Sequence, residues 1–355
     1  MKIFVVRPGE LGPDEVAKWS RLQRQSHWLG SPCLSPEFAI AVDAVRQDAR
    51  VAVLSDGPEI VGFFPFQRRR LGVGVPIGAA LSDCQGVIHA PGTNWCWREL
   101  LRGCRLSAWQ FDCLIDSQRP PGAPASVVAS PVIDLSGGFA DYEAKLATKD
   151  PRFVKNVLRS RRLLEQEAGP LRVQVGTADP SALRLLIRWK SDQYRRTGWI
   201  DAFDRPWFVD LVYALFGTRT AAFRGQLSVS YAGDTPIAAT FDLRSGHVLA
   251  GLLSAYEPRF AKRSPGLVHV LQSFEANAER GIRMVDLGKG TEKYKQSLKT
   301  DDLFLAEGVV SRGPVLAAAH RARTGALSWA GPRIRRHPRV FRAVDGLLRH
   351  YGRTT

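Results

Sequence analysis

A chain of 355 residues that is 45% hydrophobic and 24% charged is long enough for a large core in about two domains and has the make-up of an ordinary globular protein. Its net charge of +16 is concentrated at one end: residues 311–355 hold ten arginines against one acid, Asp345, so the remainder is mildly basic and a general nucleic-acid binder is disfavoured. The longest apolar runs, such as 72–81, fall short of the roughly 20 residues of a membrane span, the amino-terminal run is too short for a signal peptide, and five cysteines without a Cys-x-x-Cys pair predict free thiols. A cytoplasmic protein is expected.

Residues 16–28 and 37–46 read as helices around a Ser-Pro-Cys-Leu-Ser-Pro loop, and 51–54 and 60–66 as strands about a Ser-Asp-Gly-Pro turn. A strand at 87–88, a helix at 94–104 and a strand at 109–115 follow. Two helices are predicted over 139–147 and 151–168. The second carries Arg152, Lys155, Arg159, Arg161 and Arg162, a face that is either solvated or turned to an acidic or phosphorylated substrate. A helix over 181–197 has Asp179 as its cap, Pro180 in its first turn and Gly198 as its stop. It puts Lys190 and Tyr194 on one face at four-residue spacing, and Lys190 and Gln193 at three.

A second hairpin spans 227–242. Placing Gly57 on Gly233 aligns residues 51–62 with 227–238 without gaps, which predicts one supersecondary unit used twice. The second copy leads into a strand at 249–254, a basic turn (Arg259, Lys262, Arg263, then Ser264-Pro265-Gly266), a helix at 267–280 and a strand at 282–287. Leu267, Val270, Leu271, Phe274 and Ala278 form the apolar face of that helix. Three cations before four free N–H groups at the positive end of a helix dipole predict an anion site, best matched by a diphosphate. The corresponding loop of the first copy, 81–86, has no cation, so the site is expected in the second copy only.

After the last strand, a charged loop brings Glu292, Tyr294 and Lys295 to the place where open α/β sheets contact ligands. Asp242 is either an inward carboxylate or an exposed strand residue, and spacing does not decide it. His89, His247 and His269 stand alone in sequence; no metal-ligand spacing and no Gly-x-Ser-x-Gly elbow occurs, so neither a catalytic metal nor a serine acyl-enzyme is expected.

The order of elements, the Ser264-Pro265-Gly266 turn and the Asp286-Leu-Gly-Lys-Gly-Thr-Glu-Lys-Tyr-Lys295 segment resemble the GNAT-type acyltransferases of the CelD-like, cellulose-biosynthesis group. FemAB-type aminoacyl transferases look like more distant relatives. The resemblance covers about residues 30 to 310, and the Lys190-x-x-Gln193-Tyr194 cluster and segment 201–207 accompany it. It implies an α/β fold of two tandem GNAT-like mixed sheets flanked by helices: a degenerate unit over 1–135, an acyltransferase unit over 136–310 and a basic helical tail over 311–355.

The implied activity is N-acyl transfer from acetyl-CoA or another acyl-CoA to an amine, in polysaccharide (cellulose or exopolysaccharide) or cell-envelope biosynthesis. Leu252 and Ser254 would contact the pantetheine arm, and Arg259, Lys262, Arg263, Ser264 and Gly266 the diphosphate. Glu292 is the expected base and Tyr294 the expected acid, with Lys295 beside them or on a substrate carboxylate or phosphate; Lys190, Gln193, Tyr194 and Asp242 are the expected acceptor contacts. Two alternatives stay open: a FemAB-like transferase using aminoacyl-tRNA, and a catalytically inactive GNAT-fold accessory protein of a polysaccharide synthase. In the tail, Val340, Phe341, Val344, Leu347, Leu348 and Tyr351 form a stripe edged by Arg339, Arg342, Arg349 and Arg353. Such a stripe suits either an anionic membrane surface, in peripheral contact, or the protein's own core.

Overall fold

The hairpin repeated in the sequence is repeated in space. The computed structural model describes residues 1–26, 29–121 and 125–313, so all but the first residues of the basic tail, and the apolar stripe with them, lie outside the described residues. The strands are β1 (Lys2–Val6), β2 (Ala49–Asp56), β3 (Glu59–Arg68), β4 (Val73–Pro76), β5 (Ile88–His89), β6 (Ala108–Ile115), β7 (Ala125–Asp134), β8 (Leu171–Thr177), β9 (Phe223–Ala232), β10 (Thr235–Ser245), β11 (Val248–Tyr256), β12 (Met284–Asp286) and β13 (Asp301–Ser311). The helices are α1 (Pro13–Arg24), α2 (Pro36–Val45), α3 (Trp97–Gly103), α4 (Phe139–Lys149), α5 (Pro151–Ala168), α6 (Pro180–Thr197), α7 (Pro206–Gly217), α8 (Pro265–Glu279) and α9 (Lys293–Leu298).

The hairpins β2–β3 and β9–β10 turn at Gly57 and Gly233, the two glycines that align in sequence, with φ of 58° and 56°. Both turns use a left-handed residue, which glycine adopts without a Cβ penalty. Each hairpin also carries a register shift, one that skips Val61 and one that skips Ile237. These two residues align as well. A bulge kept at one position of both copies is a feature of the unit, because it sets the local bend of the strand.

The tandem sheets expected from the sequence are joined into one continuous mixed sheet, ordered β1-β2-β3-β4-β6-β13-β7-β12-β11-β10-β9-β8, with β5 beside β3. The pairs β4–β6 and β11–β12 are parallel and the others antiparallel. The join is made by β7 and β13, two strands that the sequence pattern did not reveal: β13 pairs with β6 on one side and β7 on the other, and β7 continues to β12. Pro131 lies within β7, and proline inside a strand argues against reading it as one.

Helices from both halves share a core. Phe38 and Val42 of α2 lie in one buried cluster with Leu211 and Val212 of α7 and Phe241 of β10, all fully buried. Each such side chain contributes about 1.5–3 kcal/mol by leaving water. Two caps fix the ends of α6 as the sequence indicates: Asp179 accepts from Ser181 N at 2.8 Å, and Gly198 closes the helix at φ 72°. Among the described residues no helix is long and apolar enough to cross a membrane.

Candidate active site

The site opens where two parallel strands part. β11 pairs with β12 only over Val248–Ala250 against Met284–Asp286. Beyond Asp286 the chain stays with β7, since Leu287 N donates to Pro131 O at 3.0 Å, while β11 runs on to Tyr256 against β10. Leu252 is skipped in the β10–β11 register, a bulge that bends β11 at the parting. The edge of β11 from Gly251 onward therefore faces a gap with its backbone groups unclaimed by β12.

A cavity of about 240 Å³ fills this gap. It is floored by Leu249–Ser254, roofed by Val270, Ser273 and Phe274 of α8, and closed by Asp83, Lys190, Thr240, Asp242, Glu292, Tyr294 and Lys295. Thus Lys190, Asp242, Leu252, Ser254, Glu292, Tyr294 and Lys295, seven residues expected from the sequence, meet at one place. Gln193 and Tyr194 stand behind Lys190 instead: Lys190 Nζ donates to Gln193 Oε1 at 3.3 Å and lies 5.2 Å from the Tyr194 ring centroid.

Asp242 is inward-facing, which settles the choice its spacing left open. It is 6% exposed, and its Oδ2 accepts from Thr240 Oγ1 at 2.9 Å. The Thr240 oxygen lies 3.2 Å from His269 Nε2, and His269 Nδ1 lies 2.8 Å from Ser230 Oγ. With the Thr240 proton given to Asp242, its oxygen accepts from Nε2–H, while the Ser230 hydroxyl stands between His269 Nδ1 and Gln272 Oε1, the latter at 3.2 Å. Burial pushes the Asp242 carboxyl up to about 7 and the His269 imidazole down to about 4. His269, isolated in the sequence, is part of this buried relay.

The loop after β12 is fixed from below. Asp286 is buried and accepts from Ser130 Oγ at 2.6 Å and from Gly288 N at 2.9 Å. Gly288 has φ 72°, a left-handed conformation that favours glycine, and a Cβ there would sit 2.6 Å from Asp83 Oδ2 and displace that side chain. Lys289 Nζ crosses to β6 and pairs with Asp112 Oδ2 at 2.8 Å, while Asp112 Oδ1 accepts from Gln85 Nε2 at 2.6 Å. Lys295 turns inward, with Nζ donating to the carbonyls of Gly288 at 3.1 Å and Lys289 at 3.2 Å. Tyr294 and Lys295 lie on α9 rather than in the extended loop that the glycines and charges had indicated. Burial and then Glu292 push the Tyr294 hydroxyl up to about 12, and burial followed by Lys295 pushes Lys190 down.

The basic turn lies outside the cavity. Ser264 adopts φ 49° and caps α8 without a side-chain hydrogen bond, and Pro265 follows at its first position. Gly266 sits in that first turn, one turn before Val270. Arg263 pairs with Glu167 at 3.0 Å and the Arg259 guanidinium stacks 4.5 Å from the Phe260 ring, while Lys262 is exposed.

Asp83 is the lining residue that sequence reading missed. Its loop was set aside for lacking cations, and the signal that could have drawn attention to it was the loop's position in the repeat, opposite the basic turn. A larger cleft of about 930 Å³ exists in the amino-terminal half, lined by His89, Trp95, Trp97, Arg98 and Arg119 among others. Among the described residues no Asp or Glu lines it, so the smaller cavity is the better candidate for proton transfer to a carboxylate. Among the described residues no group of three or more His, Cys, Asp or Glu is placed to hold a metal.

Residues 151–296 match the family model described as an acetyltransferase (GNAT) domain. They contain α5 through Lys295, which is the parted strand pair and nearly all of the cavity wall. The chain is similar in fold to two solved structures: FemX, at 9% identity over 88% of this chain and 97% of that one with a TM-score of 0.58, and the C-terminal domain of a protein described as a lysylphosphatidylglycerol synthetase from Agrobacterium fabrum, at 12% identity over 88% and 96% with a TM-score of 0.54. No curated protein matches the sequence. Residues 151–296 therefore form a GNAT-type acetyltransferase domain within a mixed α/β fold that the whole chain shares with these two structures.

Proposed function

We propose that the protein is an N-acyltransferase that moves an acyl group from acyl-CoA to an amine, with the cavity between β11 and β12 as its active site. The observation that carries this reading is the parting of β11 from β12 over a buried, proton-accepting carboxylate, Asp242. The unpaired edge of β11 suits an extended amide-bearing arm, because free backbone N–H and C=O groups can pair with it as a further strand would. The first turn of α8, with Arg259 and Lys262 beside it, suits the diphosphate. The thioester carbon would then lie among Leu252, Ser254, Asp242 and Tyr294.

In this reading Asp242 is the general base, with Glu292 at the cavity mouth as its partner in drawing protons from the incoming amine. A carboxyl held at about 7 removes a proton from an ammonium near neutral pH far better than one at its ordinary value near 4. The amine nitrogen forms its bond to the acyl carbon, the carbon–sulfur bond breaks, and the departing thiolate takes a proton from Tyr294. Backbone N–H groups of β11 donate to the carbonyl oxygen as charge develops there. Lys295, whose donors are taken by backbone carbonyls, holds the loop in shape. The polysaccharide or envelope setting rests on the sequence resemblance to the CelD-like group.

Calorimetric titration with acetyl-CoA, followed by a thiol-release assay on a panel of primary amines, tests the reading. Saturable acetyl-CoA binding with amine-dependent thiol release supports it. No binding of acetyl-CoA, together with binding of aminoacyl-tRNA, would replace it with the aminoacyl transferase alternative; binding without release would leave the accessory-protein reading.

A further inference from the structure

The polar end of the cavity holds more carboxyl groups than amino groups. Asp83, Asp242 and Glu292 line it, with Asp286 and Asp112 immediately behind, against Lys190, Lys289 and Lys295. The three lysines are engaged: Lys190 with Gln193, Lys289 with Asp112, and Lys295 with two carbonyls and, at 3.5 Å, Glu292. Asp286 is satisfied by Ser130 and Gly288 N. Asp83 differs from all of these, since its carboxylate takes no hydrogen bond from any described residue.

The loop that carries Asp83 is braced, with Ser82 Oγ donating to Cys84 O at 3.2 Å and Gln85 Nε2 donating to Ser82 O at 3.0 Å, and one Asp83 oxygen lies on the side of Gly288 that a Cβ would occupy. A carboxylate that is largely out of water, unpartnered and facing a cavity is costly unless a ligand satisfies it.

We propose that Asp83, from the amino-terminal half, grips the ammonium group of the acceptor in the carboxy-terminal site. The inference rests on the acyl-CoA reading of the cavity and adds to it the residue that selects the acceptor. An ammonium supplies the donors that Asp83 lacks and offsets the surplus of carboxylates around it. A neutral alcohol of the same shape satisfies one lone pair and leaves the charge. Burial, followed by Asp286, pushes the Asp83 carboxyl up to about 6, with Lys295 and Lys289 offsetting part of the rise. The site is then composite, with the donor held by one half and the acceptor gripped from the other.

The test uses the full-length protein with acetyl-CoA bound and matched probes: 1,4-diaminobutane against 1,4-butanediol, and glucosamine against glucose. Calorimetry should find at least tenfold tighter binding of the amine in each pair. In the thiol-release assay Asp83→Asn should raise the KM for the amine by tenfold or more, leave the Kd for acetyl-CoA within twofold, and be partly rescued by Asp83→Glu. Equal binding, or no binding, of both members of each pair to the wild-type complex overturns the proposal without any variant, so a variant that fails to fold does not shelter it. An unchanged KM in a folded Asp83→Asn protein overturns it as well. Failure of acetyl-CoA itself to bind is a separate result that removes the underlying reading.

Discussion

In the amino-terminal half the repeated hairpin leads to the seven-residue helix α3 and a cleft of about 930 Å³ with no carboxylate among its described lining residues, whereas in the carboxy-terminal half it leads to the fifteen-residue helix α8 and a cavity of about 240 Å³ lined by three. The proposed chemistry follows the carboxylates and not the volume. The amino-terminal half is not idle, however, because Asp83 reaches from it into the wall of the other half's cavity and Asp112, held by Gln85, pairs with Lys289 of the loop beside it. One copy has become the support of the other's site.

The sharpest way to break this contrast is to remove the carboxylate that only one half possesses. Asp242→Asn should lower turnover by about 10²–10⁴-fold, the usual worth of a positioned base, with acetyl-CoA affinity little changed. The same variant should be more stable in alkali. Burial raises the Asp242 carboxyl to about 7, so the folded state holds that proton more tightly than the unfolded chain, whose carboxyl titrates near 4. Deprotonation between about pH 4 and 7 therefore costs the folded state on the order of a few kcal/mol. The variant should melt above the parent at pH 8 and close to it at pH 4; a lower Tm at pH 8 would show that the carboxylate is stabilised by something other than Thr240.

A smaller effect is expected at the pin between the halves. Lys289 and Asp112 are 34% and 47% exposed, so their pairing contributes only about 0–1 kcal/mol to stability. Its effect on rate should be larger, roughly tenfold, because it fixes the loop that carries Glu292 and Tyr294. Lys289→Ala and Asp112→Ala should each slow transfer, and the double variant should be no slower than either single one. Additive losses would mean that the two residues act separately.

The sequence made the second copy legible for a physical reason. Its helix start, its Pro-Gly turn and its charged loop are local patterns, and each could be read within a dozen residues. The duplication was legible too, through Gly57 and Gly233. What escaped was non-local: β7 and β13 are recognisable only by pairing with each other and with β6 and β12 across the chain, and Asp83 matters only because of Gly288, some two hundred residues away. His269 looked isolated because Ser230 and Thr240 meet it across strands. The basic turn was legible as a helix start, yet Arg263 proved to be paired with Glu167, which leaves Arg259 and Lys262 as the freer cations. Replacing all three by Ala should weaken acetyl-CoA binding by about tenfold, or ~1.4 kcal/mol, with the loss shrinking in high salt. Unchanged affinity would remove the turn from the donor site.

The smallest effect is expected in the larger cleft, and it decides whether the contrast is real. Arg98 lines that cleft and is exposed, and Cys96 beside it is an exposed free thiol, so either can be changed without opening a core. If acyl transfer takes place wholly between β11 and β12, Arg98→Ala and Cys96→Ser should keep kcat and KM within about twofold, as surface changes away from a site generally do. The comparison would collapse if Arg98→Ala raised the acceptor KM tenfold while leaving acetyl-CoA affinity and Tm alone. That result would move acceptor binding into the amino-terminal cleft and leave Asp83 with no ligand to explain it. An unchanged KM in Arg98→Ala alongside a raised one in Asp83→Asn would confine the acceptor to the smaller cavity, reached from the amino-terminal half by a single loop.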